Sequence, residues 1–286
     1  MRPVLAELVA LLALERIEEN LFRGTSQDLG WGRIFGGQVV GQALSAAGQT
    51  TAPERSVHSL HAYFLRPGDP RRPVVYEVDR IRDGRSFTTR RVVAVQGGRA
   101  IFHLSASFQV TEEGFEHQAD REIEVPPPDD LVSEHILARQ FADQIPEPLR
   151  ARATAERPIE ARPVAPALLG RPAPRPPHSQ VWYRTVDPID DDPALHQHLL
   201  AYLSDFHFLG TALYPHGRSL LDPTLQLASL DHAMWFHRPF RVDEWLLHVI
   251  ESPSASGARG LVTGRFYDRA GRLVASTAQE GLMRQR

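Results

Sequence analysis

The sequence predicts an α+β protein built from one unit used twice. Each unit is a helix followed by a four-stranded antiparallel sheet, and the two sheets join into one continuous curved sheet. Three observations lead to this. First, segments at 57–67 and 227–239 both contain Ser-Leu, then His-Ala, then large side chains, and close on Arg-Pro (Arg66-Pro67 and Arg238-Pro239). Second, each is followed by three more strand-like segments, with a Gly-Arg turn (Gly98-Arg99, Gly271-Arg272) before the last. Third, each is preceded by a segment whose apolar residues repeat at helical spacing.

The elements follow in order. Leu5, Leu8 and Leu12 recur at helical spacing in 4–14. Glu7 interrupts the run and Glu15, Glu18 and Glu19 follow it, so the expectation is a docked amphipathic helix and not a signal peptide. Glu18–Gly24 reads as a strand closed by Gly. Residues 38–47 form a helix with Val40, Ala43, Leu44 and Ala47 on one face, small enough to lie against a sheet. Strands are expected at 56–66, 73–82, 86–96 and 99–111, separated by Pro67-Gly68, Asp83-Gly84 and Gly97-Gly98 turns.

Between 125 and 177 Pro occurs twelve times. Pro removes backbone donors and favours extended or turn backbone, so this stretch is a connection. A short helix is expected near 130–143, with Ile136, Leu137 and Phe141 on one face. The second unit begins with a strand at 180–186. Asp192 then caps a helix whose first residue is Pro193. It is expected to run from 193 to 208, with Leu195, Leu199, Leu203 and Phe206 on its apolar side. Strands at 226–237, 243–251, 258–268 and 272–283 complete the copy. The expected division is 1–118, a connection at 119–179, and 180–286. The architectural alternative is two independent α+β domains.

Composition excludes several kinds of chemistry. Net charge is −3, which gives no electrostatic basis for a nucleic-acid partner. No segment approaches the ~20 apolar residues of a membrane span, so no membrane partner is expected and cytoplasm is the expected location. Lys is absent, which rules out a P-loop lysine, a Schiff base and a Ser-Lys dyad. Cys is absent too, ruling out thiol nucleophiles and thiolate metal sites. No Gly-x-Ser-x-Gly elbow occurs. His58/His61 and His196/His198 have metal-like spacing but lack a third ligand nearby, and a catalytic zinc site needs three. No metal and no cofactor are expected.

Differences between the copies single out three residues. Asp205 lies among apolar residues on the second helix, whereas the first has no acid between Phe35 and Thr51. Burial without hydrogen bonds would be costly for such an acid and would raise its pKa; a solvated or capping Asp is the alternative. Matching the Gly-Arg turns sets Gln279 in the place of Ala106, and a Gln amide can donate to a water or an oxyanion. Ser229 sits beside Asp231 and His232. Strand alternation puts Ser229 and Asp231 on one face and His232 on the other, so a Ser-Asp-His triad is geometrically poor. With His61 as its parallel in the first copy, His232 reads as structural.

These residues sit in blocks that resemble the acyl-CoA thioesterase II (TesB-like, double hot-dog) family over nearly the whole chain. The blocks are 14–24, 35–44, 57–68, 82–92, 114–118, 231–239, 254–260 and 275–281, in the same order. The resemblance implies a double hot-dog fold and hydrolysis of acyl-CoA to free acid and CoA. It implies a catalytic set of Asp205, Ser229 and Gln279, holding a water that Asp205 activates. Ser229 departs from the more usual Thr and loses the methyl that restricts χ1. Backbone N–H groups at a helix N-terminus are expected to meet the oxyanion, and Arg259 is a candidate for the CoA phosphates. The partners implied are the acyl-CoA substrate and further copies of the chain, as a dimer or dimer of dimers. The rival readings are a hot-dog enoyl-CoA hydratase and a non-catalytic acyl-CoA-binding protein.

Overall fold

Period-two burial marks the strands. In 87–96, for example, Thr88, Arg90, Val92 and Ala94 point inward and alternate with more exposed neighbours. The computed structural model describes residues 1–119, 124–145, 147–166 and 173–286. In chain order the elements begin with α1 (Pro3–Leu12), β1 (Glu15–Glu18), β2 (Leu21–Gly24) and α2 (Gly36–Gly48). Next come β3 (Arg55–Phe64), β4 (Val74–Asp83), β5 (Phe87–Gln96) and β6 (Arg99–Val110). The connection contributes α3 (Glu134–Gln140), α4 (Glu147–Ala153) and β7 (Ile159–Pro163). The second unit has β8 (His178–Thr185), α5 (Pro193–Leu203), α6 (Phe208–Thr211), β9 (Leu225–Ser229) and β10 (Asp231–Phe236). It ends with β11 (Leu246–Ser256), β12 (Arg259–Tyr267) and β13 (Leu273–Gln285).

The strands form one antiparallel sheet in the order β1-β2-β4-β5-β6-β3-β10-β13-β12-β11-β8-β7, with β9 pairing beside β13. The order is symmetric about the β3–β10 pair, where Leu60 faces Met234 and Ala62 faces His232. The first unit's strands pack on α2, the second unit's on the short α6, and α5 lies against α2 and β3. The main apolar core runs through both, including Leu44, Leu60 and Leu104 of the first and Leu199, Met234 and Phe266 of the second. Two independent domains are therefore excluded. The fold is a double hot-dog.

The two central helices lie in close contact. At Gly37 an added Cβ would collide with the carbonyl oxygen of Tyr202 on α5. At Gly41 it would sit 3.1 Å from the carbonyl oxygen of His198. These glycines and the small residues Ala43 and Ala47 let α2 approach both the sheet and α5. In front of them α1 buries Leu5, Leu8, Leu11 and Leu12.

Several boundaries differ from the sequence reading, each for a local reason. The expected strand at 18–24 is a hairpin, with β1 and β2 paired through Glu18 and Leu21. The expected helix at 193–208 stops at Leu203; residues 204–207 form a turn, and His207 takes a left-handed φ of 59° before α6 resumes. The expected strand at 226–237 breaks at Leu230 into β9 and β10. Within the connection, β7 pairs with β8 and adds an edge strand. There α3 buries none of its residues, and Ile136 and Phe141 are exposed. Its anchor is polar instead: Glu134 Oε1 pairs with His207 Nε2 at 3.1 Å, and Glu134 Oε2 with Arg157 at 3.4 Å. Residues 120–123 and 167–172 of the Pro-rich stretch lie outside the described residues. Among the described residues no helix is long and apolar enough to cross a membrane.

Gly37→Ala forces a methyl group into the α2–α5 contact. Overpacking of this kind typically costs about 1–3 kcal/mol. The expected result is a lower midpoint in chemical denaturation; an unchanged midpoint would contradict the close packing of the two helices.

Candidate active site

Asp205 lies in the turn between α5 and α6 and not on the helix as the sequence suggested. The left-handed His207 interrupts the helical hydrogen bonding here. The break turns the half-buried carboxyl group toward the start of α2. There Gly37 N–H donates to Asp205 Oδ2 at 3.1 Å. A Cβ on Gly36 would lie 2.6 Å from the same oxygen, so the Gly36-Gly37 pair is what permits the approach. A carboxylate at a helix N-terminus meets a free donor and the positive end of the dipole. Burial nonetheless dominates and pushes the Asp205 carboxyl up to about 7, against the pull of a Gln279 hydrogen bond, of Gly37 N–H and of Arg33.

Gln279, only 1 % exposed, projects inward from β13. Its Nε2 donates to Ser229 Oγ at 3.0 Å, and the same side chain pulls the Asp205 pKa down. Its Oε1 lies 2.6 Å from His232 Nδ1, and His232 Nε2 lies 2.9 Å from Ser204 Oγ. The three residues singled out in the sequence thus converge, with His232 and Ser204 behind them. Burial lowers the His232 pKa to about 4, against the raising effect of Gln279, so this ring is neutral near pH 7.

The placement of His232 corrects the alternation argument. The β9–β13 ladder pairs Ser229 with Gly281, whereas the β10–β13 ladder pairs Ala233 with Ala278. Four residues on one strand thus oppose three on the other, which is a bulge at Leu230. The extra residue shifts side-chain parity, so Ser229 and His232 both face Gln279. The first unit has the same irregularity: Val57 pairs with Phe108 and Leu60 with Ala106, across a shift between Val57 and Ser59. Counted along the ladders, the counterparts of Ser229, His232 and Gln279 are Val57, Leu60 and Ala106. The earlier parallel of His232 with His61 is therefore wrong; His61 is on the outer side of the sheet, against Trp235. The signal was present in the sequence. Counting back from the shared Arg-Pro pairs gives Leu60 for His232 and Val57 for Ser229.

The remaining expected groups fall elsewhere. Arg259 Nε is held by Glu280 at 2.9 Å. Arg33 is exposed, is bonded to the Leu227 carbonyl at 3.2 Å, and acts electrostatically on Asp205. His58 bonds Ser107 at 2.8 Å, and His196 accepts from Val242 N–H at 3.1 Å. Among the described residues no three His, Asp or Glu side chains converge to hold a metal ion.

A carboxyl group titrating near neutrality, a hydroxyl and an oriented amide around one small volume can hold and deprotonate a water. The comparisons with known proteins give the family of the chain. Residues 25–109 match the family model "Acyl-CoA thioesterase N-terminal domain", and residues 149–282 match the model "Acyl-CoA thioesterase". The chain is 45% identical over 287 residues to Acyl-CoA thioesterase 2 of Haemophilus influenzae, covering 99% of both chains. The chain belongs to the acyl-CoA thioesterase family. Among solved structures, an acyl-CoA thioesterase II (TesB2) from Mycobacterium marinum is 43% identical, with a TM-score of 0.78 over 97% of this chain and 98% of that one. A hot-dog protein of unknown function from Alicyclobacillus acidocaldarius, 21% identical with a TM-score of 0.75, covers 98% of each chain and shares the fold. This thioesterase thus has its three singled-out residues within the region matched by the "Acyl-CoA thioesterase" model.

The raised Asp205 pKa has a consequence for stability. In the unfolded chain this carboxyl has a pKa of 3.8, against about 7 when folded. Between those values the folded protein binds more protons, so the stability present at low pH is lost as pH rises through about 7. Asp205→Asn removes that loss. Thermal denaturation of both proteins across pH 4–8 is expected to show the variant gaining on the wild type as pH rises. A difference independent of pH would contradict the raised pKa.

Proposed function

We propose that Asp205, Ser229 and Gln279 hold and activate the water that hydrolyses acyl-CoA thioesters to free acid and CoA. The observation behind this reading is the Gln279 amide group, which donates to Ser229 Oγ at 3.0 Å and lowers the pKa of Asp205. One buried amide thereby holds the hydroxyl and acts on the carboxyl. A water between them gives one proton to the Asp205 carboxylate and the other hydrogen bond to Ser229 Oγ, leaving a lone pair for the thioester carbonyl carbon.

The reaction then proceeds in two stages. The water oxygen bonds to the carbonyl carbon as its proton passes to Asp205, giving a tetrahedral oxyanion. The N-terminus of α2, whose Gly37 N–H holds Asp205, supplies positive potential to that oxyanion. Collapse breaks the C–S bond, and the proton on Asp205 goes to the departing thiolate. The products are the carboxylic acid and the CoA thiol, and Asp205 is again a carboxylate. A base with a pKa of about 7 suits this role, being ionised enough to accept a proton and basic enough to pull it.

The CoA moiety is read by cations at the mouth of the site. Arg33, exposed and electrostatically linked to Asp205, is better suited than Arg259, which Glu280 already engages. The helices and sheet inside the site offer apolar surface for the acyl chain.

Thiol release from a series of acyl-CoAs tests this reading. Asp205→Asn is expected to lower turnover by about 10²–10⁴-fold. In the wild type, kcat/KM should fall on the acid side of about pH 7 as Asp205 becomes protonated. Undiminished turnover in the variant would remove Asp205 from the mechanism. Crotonyl-CoA consumed without thiol release would favour a hydratase, and binding without turnover would favour a carrier.

A further inference from the structure

We propose that His232 is a positioning residue that sets the orientation of the Gln279 amide group. This rests on the catalytic reading of Asp205, Ser229 and Gln279 above. A Gln side chain can rotate by half a turn about its last bond and exchange its oxygen for its nitrogen. Only one of those orientations serves the site. With the nitrogen toward Asp205 and Ser229, a donor faces a carboxylate and a hydroxyl. With the oxygen there, two acceptors confront each other and the water loses its frame.

What selects the orientation lies on the other side of the amide. His232 Nδ1 is 2.6 Å from Gln279 Oε1, and both residues are 1 % exposed, so no solvent competes. Because Oε1 only accepts, Nδ1 must carry the proton. The neutral ring then has an unprotonated Nε2, which takes the Ser204 hydroxyl proton across 2.9 Å in place of the Ala201 carbonyl that the same hydroxyl reaches at 2.9 Å. In that tautomer the donors run Ser204 to His232 to Gln279 to Ser229 in one sense. Reversing the amide while the ring keeps this tautomer would leave Nδ1–H pointing at an NH₂ group in a buried site, a donor without an acceptor. Neighbouring backbone groups hold the arrangement: Glu280 N–H donates to Asp231 Oδ1 at 2.6 Å, and Leu230 N–H to the Glu280 carbonyl at 2.9 Å.

The first unit argues against a purely architectural role. At the equivalent crossing its ladder pairs Leu60 with Ala106, which are 0 % and 2 % exposed. The same bulged strand pair folds there with two apolar side chains. The fold does not require a buried His–Gln hydrogen bond at this crossing; the second unit has one beside Ser229 and Asp205.

Four proteins test the proposal by steady-state thiol release: His232→Leu, His232→Asn, Gln279→Ala, and Gln279→Ala with His232→Leu. Leu removes the donor at similar volume. Asn keeps an N–H near the place of Nδ1. His232→Leu is expected to lower kcat about tenfold, the worth of one hydrogen bond, with KM changed less than about threefold. His232→Asn should recover most of that loss. In the Gln279→Ala background the Leu substitution should cost little more, because a residue that acts through Gln279 has nothing left to act on. The proposal is overturned if the two losses multiply, or if Asn is as impaired as Leu. If Gln279→Ala itself turns over at the wild-type rate, the catalytic reading beneath it fails, and that outcome is distinct from the other two.

Discussion

The carboxyl group of Asp205 sits where the interrupted helix of the second unit meets the first turn of α2 from the other. The rest of the site depends on that junction. The hydrogen bond from Gly37 N–H crosses between units, and it requires α2 and α5 to pack almost backbone to backbone. Gly36, Gly37 and Gly41 allow this by having no Cβ in the way. The break after Leu203, marked by the left-handed His207, releases Asp205 from the helix so that it can turn inward. The same burial that shapes the junction raises the carboxyl pKa to about 7. Packing, backbone strain and proton affinity are linked here through one residue. The connection takes part as well, because Glu134 holds His207 two residues beyond Asp205.

The two units share a frame and differ in what fills it. Val57, Leu60 and Ala106 occupy in the first the places of Ser229, His232 and Gln279 in the second. The bulge is common to both strands, so it belongs to the architecture. The polar substitutions are confined to one side. An unsatisfied polar group there would be costly, and each of these finds a partner. A duplicated fold has kept one copy as apolar support and given the other a connected polar network.

Much of this was legible in the sequence. Helical periodicity in 38–47 and 193–203, the turn dipeptides and the matched Gly-Arg turns were enough to give two helix-plus-sheet units. Asp205 and Gln279 stood out because the first copy has no acid or amide in the same place. Other features had weaker signals. The bulge at Leu230 inserts one residue without any Gly or Pro to mark it, so simple alternation put His232 on the wrong face. The helix break at 204–207 falls in a run whose residues all tolerate helix. The anchoring of α3 through Glu134 depends on His207 and Arg157, which are distant in sequence. In each case the deciding term is a tertiary contact, which local propensity does not report.

Folding holds the Asp205 carboxyl group in an environment that gives it a proton affinity matched to neutral pH. The most direct measurement is its own titration. Carboxyl infrared difference spectra, wild type minus Asp205→Asn, would follow its C=O stretch as a function of pH. One protonated carboxyl is expected to ionise at about pH 7 in the wild type and to be missing in the variant. Ionisation near the ordinary 3.8 would contradict it.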